Sequence, residues 1–524
     1  MQAAESVSLL MPISALGIYL HALFVTITLG FPFVIGALLY KWWRTRDEDY
    51  YKAARTATGV LAVNFALGAI TGTLVEFGLV QAWPGTIYAI ATVAFVPLAA
   101  ELVAFIGEIV FLVAFIVTLR RVKPWLSIAL LSGYFAFAAF SGALITMVNS
   151  WINVPWGTGA LASVLYPYLP EYGPTAFDTA VLVKVKLALV DSLLSVGTAS
   201  QILQSPEVAR AVGISLNDPF VALYSPYALV SVLHNVTAAV IIGIAIASAA
   251  LSYMHFRAGE QRYVKILRPF LPILLILLVI QPIVFGDLMG KSVAEFMPTK
   301  FALMEGAATT TQNPLLGFLA YGDPSRPILG FDAFRRECEA HGDTTVGKVA
   351  SAVVPGYKPG PSSNVKLRDL CLRDLAAAEG RLKLVNGAYY AKIGAGVTAL
   401  ASVVALTSSV FNLGPLSRIV SVMFGRLGAR RLIFIFALLT LLGSVLSASL
   451  GWFVREVGRK PWTVYGLLYP EELVTPAEVS AATMAAFTTL FTAMSIAGVV
   501  GMYLVATRPL EFVRLLRRGA GVEE

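Results

Sequence analysis

Charge is scarce in this chain. Only 13% of its 524 residues are Asp, Glu, Lys or Arg, about half the share of a soluble domain. Hydrophobic residues make up 57%, and the mean hydropathy is +0.75. Cysteine is scarcer still: Cys338 and Cys371 are the two present, too few for a disulfide scaffold or a thiolate-bound cluster. The chain also lacks a P-loop, an HExxH pair, a GxSxG setting and a CxxCH haem-attachment motif, which removes the common soluble catalytic classes. No cleavable signal peptide is expected, because the first apolar segment is long, follows Glu5 and has no small-residue cleavage site. The net charge of +8 does not point to nucleic acid. Its basic residues sit in short loops between apolar runs, where membrane topology accounts for them.

What the chain does have is long apolar runs. Stretches of about 20 or more such residues mark membrane-spanning helices, and nine are expected, near 12–40, 57–81, 88–118, 125–150, 221–255, 268–288, 387–412, 432–455 and 481–506. The basic clusters are Lys41, Arg44, Arg46, Lys52 and Arg55; Arg120, Arg121 and Lys123; Arg257, Arg262, Lys265 and Arg268; Arg418, Arg426, Arg430 and Arg431; and Arg508, Arg514, Arg517 and Arg518. With nine crossings all five fall on one side, which the positive-inside rule makes cytoplasmic. The fold class expected is therefore an all-α polytopic membrane protein, multi-pass in the cell membrane, with the N-terminus outside and the C-terminus cytoplasmic.

This divides the chain into helices one to four (1–150), an outer insertion (151–220), helices five and six (221–288), an outer loop (289–386) and helices seven to nine (387–524). In the insertion Lys184, Lys186 and Asp191 interrupt an apolar run, as in a helix lying on a membrane surface or against a partner. The 289–386 region is polar, carries "VVPGYKPGPSSN" and holds both cysteines. Paired, they would close a loop of about 33 residues and add about 3–4 kcal/mol. Two buried free thiols are the alternative.

Ionisable residues inside a bilayer cost several kcal/mol and mark function by default. Of the four histidines, His255 and His341 fall at a helix end and in a loop, where solvation explains them. His21 ("GIYLHALFVTITLG") and His234 ("VSVLHNVTAAVIIG") fall within helices one and five. Each is either a histidine bonded to a neighbouring carbonyl or a ligand of haem or another metal. Helix three carries "PLAAELVAFIGEIVF", whose Glu101 and Glu108 share one face about 10 Å apart. Such a carboxylate row is either a proton relay or a pair of protonated packing groups. Glu76 and Asn149 add polar groups at the outer ends of helices two and four, and "GWFVREVGRKPW" crowds Arg455, Glu456, Arg459 and Lys460 at the end of helix eight.

Together these segments resemble subunit I of the cytochrome bd quinol oxidases. "YLHALFVTITLG" is similar to that family's first-helix histidine motif, "NFALGAITGTLVEF" to its second-helix signature and "PLAAELVAFIGE" to its paired-glutamate helix. "GRKPW" resembles its GRxPW signature, and "GDLMGKSVAEFMPTKFALMEG" the start of its outer quinol-binding loop. The resemblance implies His21 as ligand of the oxygen-reducing high-spin haem, with Glu101 near its other face. It implies Glu456 as ligand of a second high-spin haem, with Arg459 and Trp462 around it, and His234 as a ligand of a low-spin haem b. The cofactors implied are thus low-spin haem b, high-spin haem b, and haem d or a further haem b, since family members differ in which high-spin site holds haem d. Lys300 and Glu305 would serve quinol, and Glu108 with Glu101 the proton route. Implied partners are a second membrane subunit, of subunit II type or a paralogue of subunit I, together with small accessory subunits, the lipid bilayer and membrane quinol.

One departure stands out. Where the family has an arginine and a haem-ligating methionine in helix seven, "YYAKIGAGV" has Lys392 and Gly394. The low-spin site is then five-coordinate, ligated by another group such as Lys392, or absent. Two further readings follow: a non-catalytic haem-binding partner subunit, and an ion-coupled transporter, the latter opposed by the lack of a clear internal repeat.

Overall fold

The computed structural model describes residues 2–154, 221–340, 342–345, 347–348, 364–415, 417–418, 422, 427–465, 469–475 and 480–507. The 151–220 insertion, with Lys184, Lys186 and Asp191, lies almost wholly outside the described residues, as do His341 and the tail arginines. The described residues form helices, with two isolated bridges and no strand.

In chain order the helices are α1 (Gln2–Thr45), α2 (Glu48–Ala82), α3 (Pro84–Thr118), α4 (Pro124–Asn153), α5 (Ala228–Ala258), α6 (Gln261–Leu267) and α7 (Leu271–Phe296). Then follow α8 (Pro298–Glu305), α9 (Pro314–Tyr321), α10 (Phe331–Ala340), α11 (Leu367–Glu379), α12 (Leu382–Phe411), α13 (Ala429–Val457) and α14 (Ala481–Thr507). Among the described residues nine segments are long and apolar enough to cross a membrane: α1, α2, Ala94–Thr118 of α3, α4, α5, α7, α12, α13 and α14. These match the nine expected runs with two differences: the fifth helix begins at Ala228 rather than 221, after a 3-10 turn at Val221–Tyr224, and α3 is kinked. Its backbone leaves helical geometry at Ala94 (φ −140°). Pro97, three residues on, has no N–H to donate into the preceding turn, which is the usual cause of such a kink.

Glycines decide how closely the helices pack. α1 and α5 cross backbone to backbone at Gly30 and Gly243: a methyl carbon at 243 would lie 2.7 Å from Gly30 Cα. α3 and α4 interlock through two reciprocal contacts, Phe137 on Gly107 and Phe111 on Gly133, with the two rings 5.4 Å apart. Small residues permit this close approach between membrane helices. The first crossing brings the helices of His21 and His234 together, and the second sets the register of the Glu101 face.

Several basic clusters meet at one end of the bundle. Lys265 of α6 bonds Asp47 and Asp49, both at 2.7 Å, before and within the first turn of α2. Arg120, just beyond α3, pairs with Glu48 at 3.4 Å, and Arg268 donates to the Val410 carbonyl near the end of α12 at 3.3 Å. The Asp47 and Asp49 carboxylates hold the Lys265 ammonium above its usual range. His255 departs from expectation here. It is 2% exposed rather than solvated, and its ring Nδ1 meets the Glu260 carbonyl at 2.9 Å across the turn that Gly259 (φ +73°) makes.

At the other end, α8 to α11 pack over the spans. Cys338 of α10 and Cys371 of α11 form a disulfide with Cα atoms 5.4 Å apart, and both are buried. The α11 helix is tied onward through Tyr469, whose hydroxyl bonds the Asp374 carboxylate.

Candidate haem and quinol sites

The second-helix signature is the surface that meets His21. Asn64, Gly68, Thr71 and Gly72 recur at helical spacing on the α1-facing side of α2. Asn64 Nδ2 donates to the Phe24 carbonyl at 2.9 Å and to Thr28 Oγ1 at 3.1 Å. Gly72 lets the imidazole pass: a methyl carbon there would lie 2.9 Å from His21 Cε1. The Thr71 hydroxyl donates back to its own helix, to Leu67 O at 2.9 Å or Gly68 O at 3.0 Å. It therefore turns a lone pair toward His21 Nδ1, 3.2 Å away. With the ring proton on Nδ1, Nε2 would be available to ligate, the usual role of an outer partner of a metal-binding histidine. Thr71 and Gly72 were visible inside the signature, at seven and eight residues after Asn64, but periodicity alone does not say which residue faces a histidine.

Glu108 is 6% exposed on α3, whereas Glu101 is half-buried and accepts from Ser141 of α4 at 3.0 Å. Glu76 is exposed on α2. These carboxylates thus run from a buried position to an open one.

The charged end of α13 is the most densely built region. Glu456 Oε2 pairs with Arg459, while Oε1 lies 3.4 Å from Asn149 Nδ2 at the end of α4. Asn153, one turn on, donates to the Asn149 carbonyl at 3.0 Å and accepts from Lys300 Nζ at 3.3 Å. Lys300 also donates to the Arg455 carbonyl at 3.2 Å and is 2% exposed. Burial, then repulsion from Arg455, holds its ammonium well below the usual lysine range. Arg455 Nη1 donates to Ser231 of α5 at 2.7 Å. After α13 the chain folds back, with Tyr465 N on the Ile152 carbonyl at 2.9 Å and the Trp462 ring 5.3 Å from Tyr465.

This cluster holds more positive charge than it neutralises internally, since Arg455 and Arg459 are buried around one carboxylate. It also leaves donors unpaired: Arg455 Nε and Nη2, Arg459 Nε and Nη1, and Trp462 Nε1 are buried without a hydrogen-bond partner among the described residues. Buried arginine donors without acceptors are costly. A ligand bearing carboxylates would satisfy them, and haem propionates have that chemistry, so the residues present fit a haem beside Glu456.

His234 is partly buried on α5. The Gln281 amide of α7 reaches it at 3.3 Å on Nδ1 and 3.0 Å on the backbone carbonyl. Gln281 opens the π-helical turn Gln281–Gly286, where the extra residue re-aims a side chain; nothing in the sequence pattern singles it out. Lys392 and Gly394 do not share a direction. The Lys392 stem lies on Gly451 of α13, where a methyl carbon would meet its Cε at 3.5 Å, and its ammonium sits 5.9 Å from the Tyr389 ring. Two residues along a helix is a turn of about 200°. Gly394 is exposed with open space beside it, so Lys392 does not reach toward the face that Gly394 occupies.

Lys300 and Glu305 also separate. Lys300 turns inward to Asn153, while Glu305 at the C-terminal end of α8 is half-buried and accepts from Tyr390 of α12 at 3.0 Å. Burial raises the Glu305 carboxyl above the usual range, and the Tyr390 hydrogen bond opposes that.

Comparison with known proteins places this architecture. A family model described as cytochrome bd terminal oxidase subunit I matches residues 13–509. The chain belongs to the cytochrome bd oxidase subunit I family. Cytochrome bd-II ubiquinol oxidase subunit 1 of Escherichia coli (strain K12) is 23% identical over 495 residues, 86% of this chain and 85% of that one. A Bacillus subtilis (strain 168) protein, provisionally described as a cytochrome bd menaquinol oxidase subunit I, is 29% identical over 165 residues. That match spans 30% of this chain and 37% of the relative. The solved structure of the bd oxidase from Geobacillus thermodenitrificans superposes with TM-score 0.68 at 19% identity, covering 97% of this chain and all of that one. This last likeness concerns the fold.

Proposed function

We propose that the chain is the haem-bearing catalytic subunit of a terminal quinol oxidase, in which electrons from membrane quinol reduce O2 to water. The observation that carries this reading is the buried end of α13, where Glu456 sits among arginines whose unpaired donors fit a group with paired carboxylates. Bound haem would supply the one-electron and oxygen chemistry. The chain's own residues do the rest. His21 presents Nε2 because Thr71 orients Nδ1, and His234 and Glu456 serve the other two haems. Arg455, Arg459 and Trp462 hold propionates, and Asn149 and Asn153 keep Glu456 and Lys300 in register. Glu305 takes a proton from quinol, and Glu108 passes cytoplasmic protons to Glu101.

The basic loops that meet at one end of the bundle support a cytoplasmic assignment for that end, with the N-terminus outside. Quinol protons are then released outside while oxygen protons come from the cytoplasm, and charge separates across the membrane without a pump. The complex would include a second membrane subunit, either of subunit II type or a paralogue of this chain. In that assembly, Glu108→Leu should slow quinol-driven O2 consumption at least tenfold while the haem spectrum stays intact; unchanged turnover with normal haem content would remove the relay.

The open space at Gly394 favours a second reading, a haem-binding partner subunit that takes no electrons from quinol. Purified complex separates the two. Quinol-dependent O2 uptake that is abolished by Glu305→Gln in this chain supports the catalytic reading, and uptake indifferent to that change supports the partner reading.

A further inference from the structure

α8 is gripped from one face of α12 in two successive turns. Asn386 Nδ2 donates to the Met304 carbonyl at 2.7 Å, and Tyr390, four residues later on the same face, donates its hydroxyl to Glu305 Oε2 at 3.0 Å. The backbone next to Glu305 is fixed as well. Gly306 adopts φ +70° and packs directly on Asn386, where a methyl carbon would approach the side-chain amide nitrogen at 3.0 Å. One contact therefore sets the chain position and the other the carboxylate. Tyr390 remains 49% exposed and Glu305 half-buried, so the pair stands at a surface that a lipid-borne molecule can reach. Tyr389, ring to ring with Tyr390 at 5.4 Å, limits where the Tyr390 ring can swing.

We propose that Tyr390 is a positioning residue for quinol oxidation, aiming one oxygen of the Glu305 carboxylate at the quinol hydroxyl while Asn386 holds the α8 end in register. The inference rests on the quinol oxidase reading and extends it to a residue outside the quinol-loop motif. In the step served, a quinol O–H bond would break, its proton going to Glu305 and its electron to a bound ferric haem. Glu305 would then pass that proton to the outer water before a second such transfer completes the oxidation of quinol to quinone. A hydroxyl donating to a carboxylate favours the ionised, proton-accepting form. With Tyr390 gone, burial acts on Glu305 unopposed and the carboxylate becomes harder to ionise.

The test uses the purified complex in nanodiscs. Tyr390→Phe keeps the ring and removes the donor. Haem content by reduced-minus-oxidised spectrum should match the wild type. The acid limb of kcat/KM for quinol should move up by about one pH unit, the size of a charge-assisted hydrogen bond, with KM rising severalfold more than kcat falls. Glu305→Gln, which removes quinol turnover on this reading, serves as the control that assigns the carboxyl band below. Turnover is not needed for the decisive readout. Infrared titration can follow the carboxyl band that Glu305→Gln abolishes, and in Tyr390→Phe its midpoint should lie higher than in the wild type. An unmoved midpoint overturns the proposal, as does an unmoved acid limb in an active enzyme. Absence of quinol turnover in the wild type would instead count against the oxidase reading, and the infrared midpoint would still decide whether Tyr390 governs Glu305.

Discussion

Glu456 is the residue on which most of the buried charge converges. It pairs with Arg459, lies 3.4 Å from Asn149, and sits among arginine donors that have no hydrogen-bond partner among the described residues. Replacing Glu456 leaves the buried Arg459 guanidinium without its ion-pair partner. Glu456→Gln keeps the volume and removes the charge. Its expected result is loss of one haem per complex in a pyridine haemochrome assay, with the low-spin signal assigned to His234 retained. Lys460 gives a second prediction. Burial, reinforced by Arg459, lowers its ammonium to about 8. Between about pH 8 and the usual lysine value near 10.4, the unfolded chain holds more of this proton than the folded one. Stability therefore rises with pH across that window. Thermal unfolding of the complex should show that rise, and Lys460→Met should flatten it.

At the scale of elements, long apolar runs read clearly. A spanning helix needs about 20 apolar residues in a row, and each of the nine runs became a helix, the fifth beginning late at Ala228. Less legible was what crosses between helices. The Thr71–His21 and Tyr390–Glu305 contacts, and the inward turn of Lys300 away from Glu305, depend on helix rotation and on how α8 docks. A sequence motif names these residues without saying which way they point. His255 erred for the same reason: a helix-end histidine reads as solvated, yet the following loop folds over it. Gln281 gave no signal, because a π-helical turn leaves no mark in hydrophobic periodicity. The α1–α5 crossing yields a prediction at this scale. Gly243→Ala would force apart backbones that touch at Gly30. Overpacking of that kind costs about 1–3 kcal/mol, measurable as a lower Tm of the complex.

For the whole molecule, the family match and the fold agree on a bd-type oxidase subunit, and the proposed function would place one haem each at His21, Glu456 and His234. On α12, Gly394 is exposed, and none of the described residues comes within 4 Å of a methyl carbon placed there. The most direct measurement is haem stoichiometry with a reduced-minus-oxidised spectrum of the purified complex. The expected result is three haems per copy of this chain, two of them lost separately in His21→Ala and Glu456→Gln. A complex that purifies intact with no haem in this subunit would contradict it.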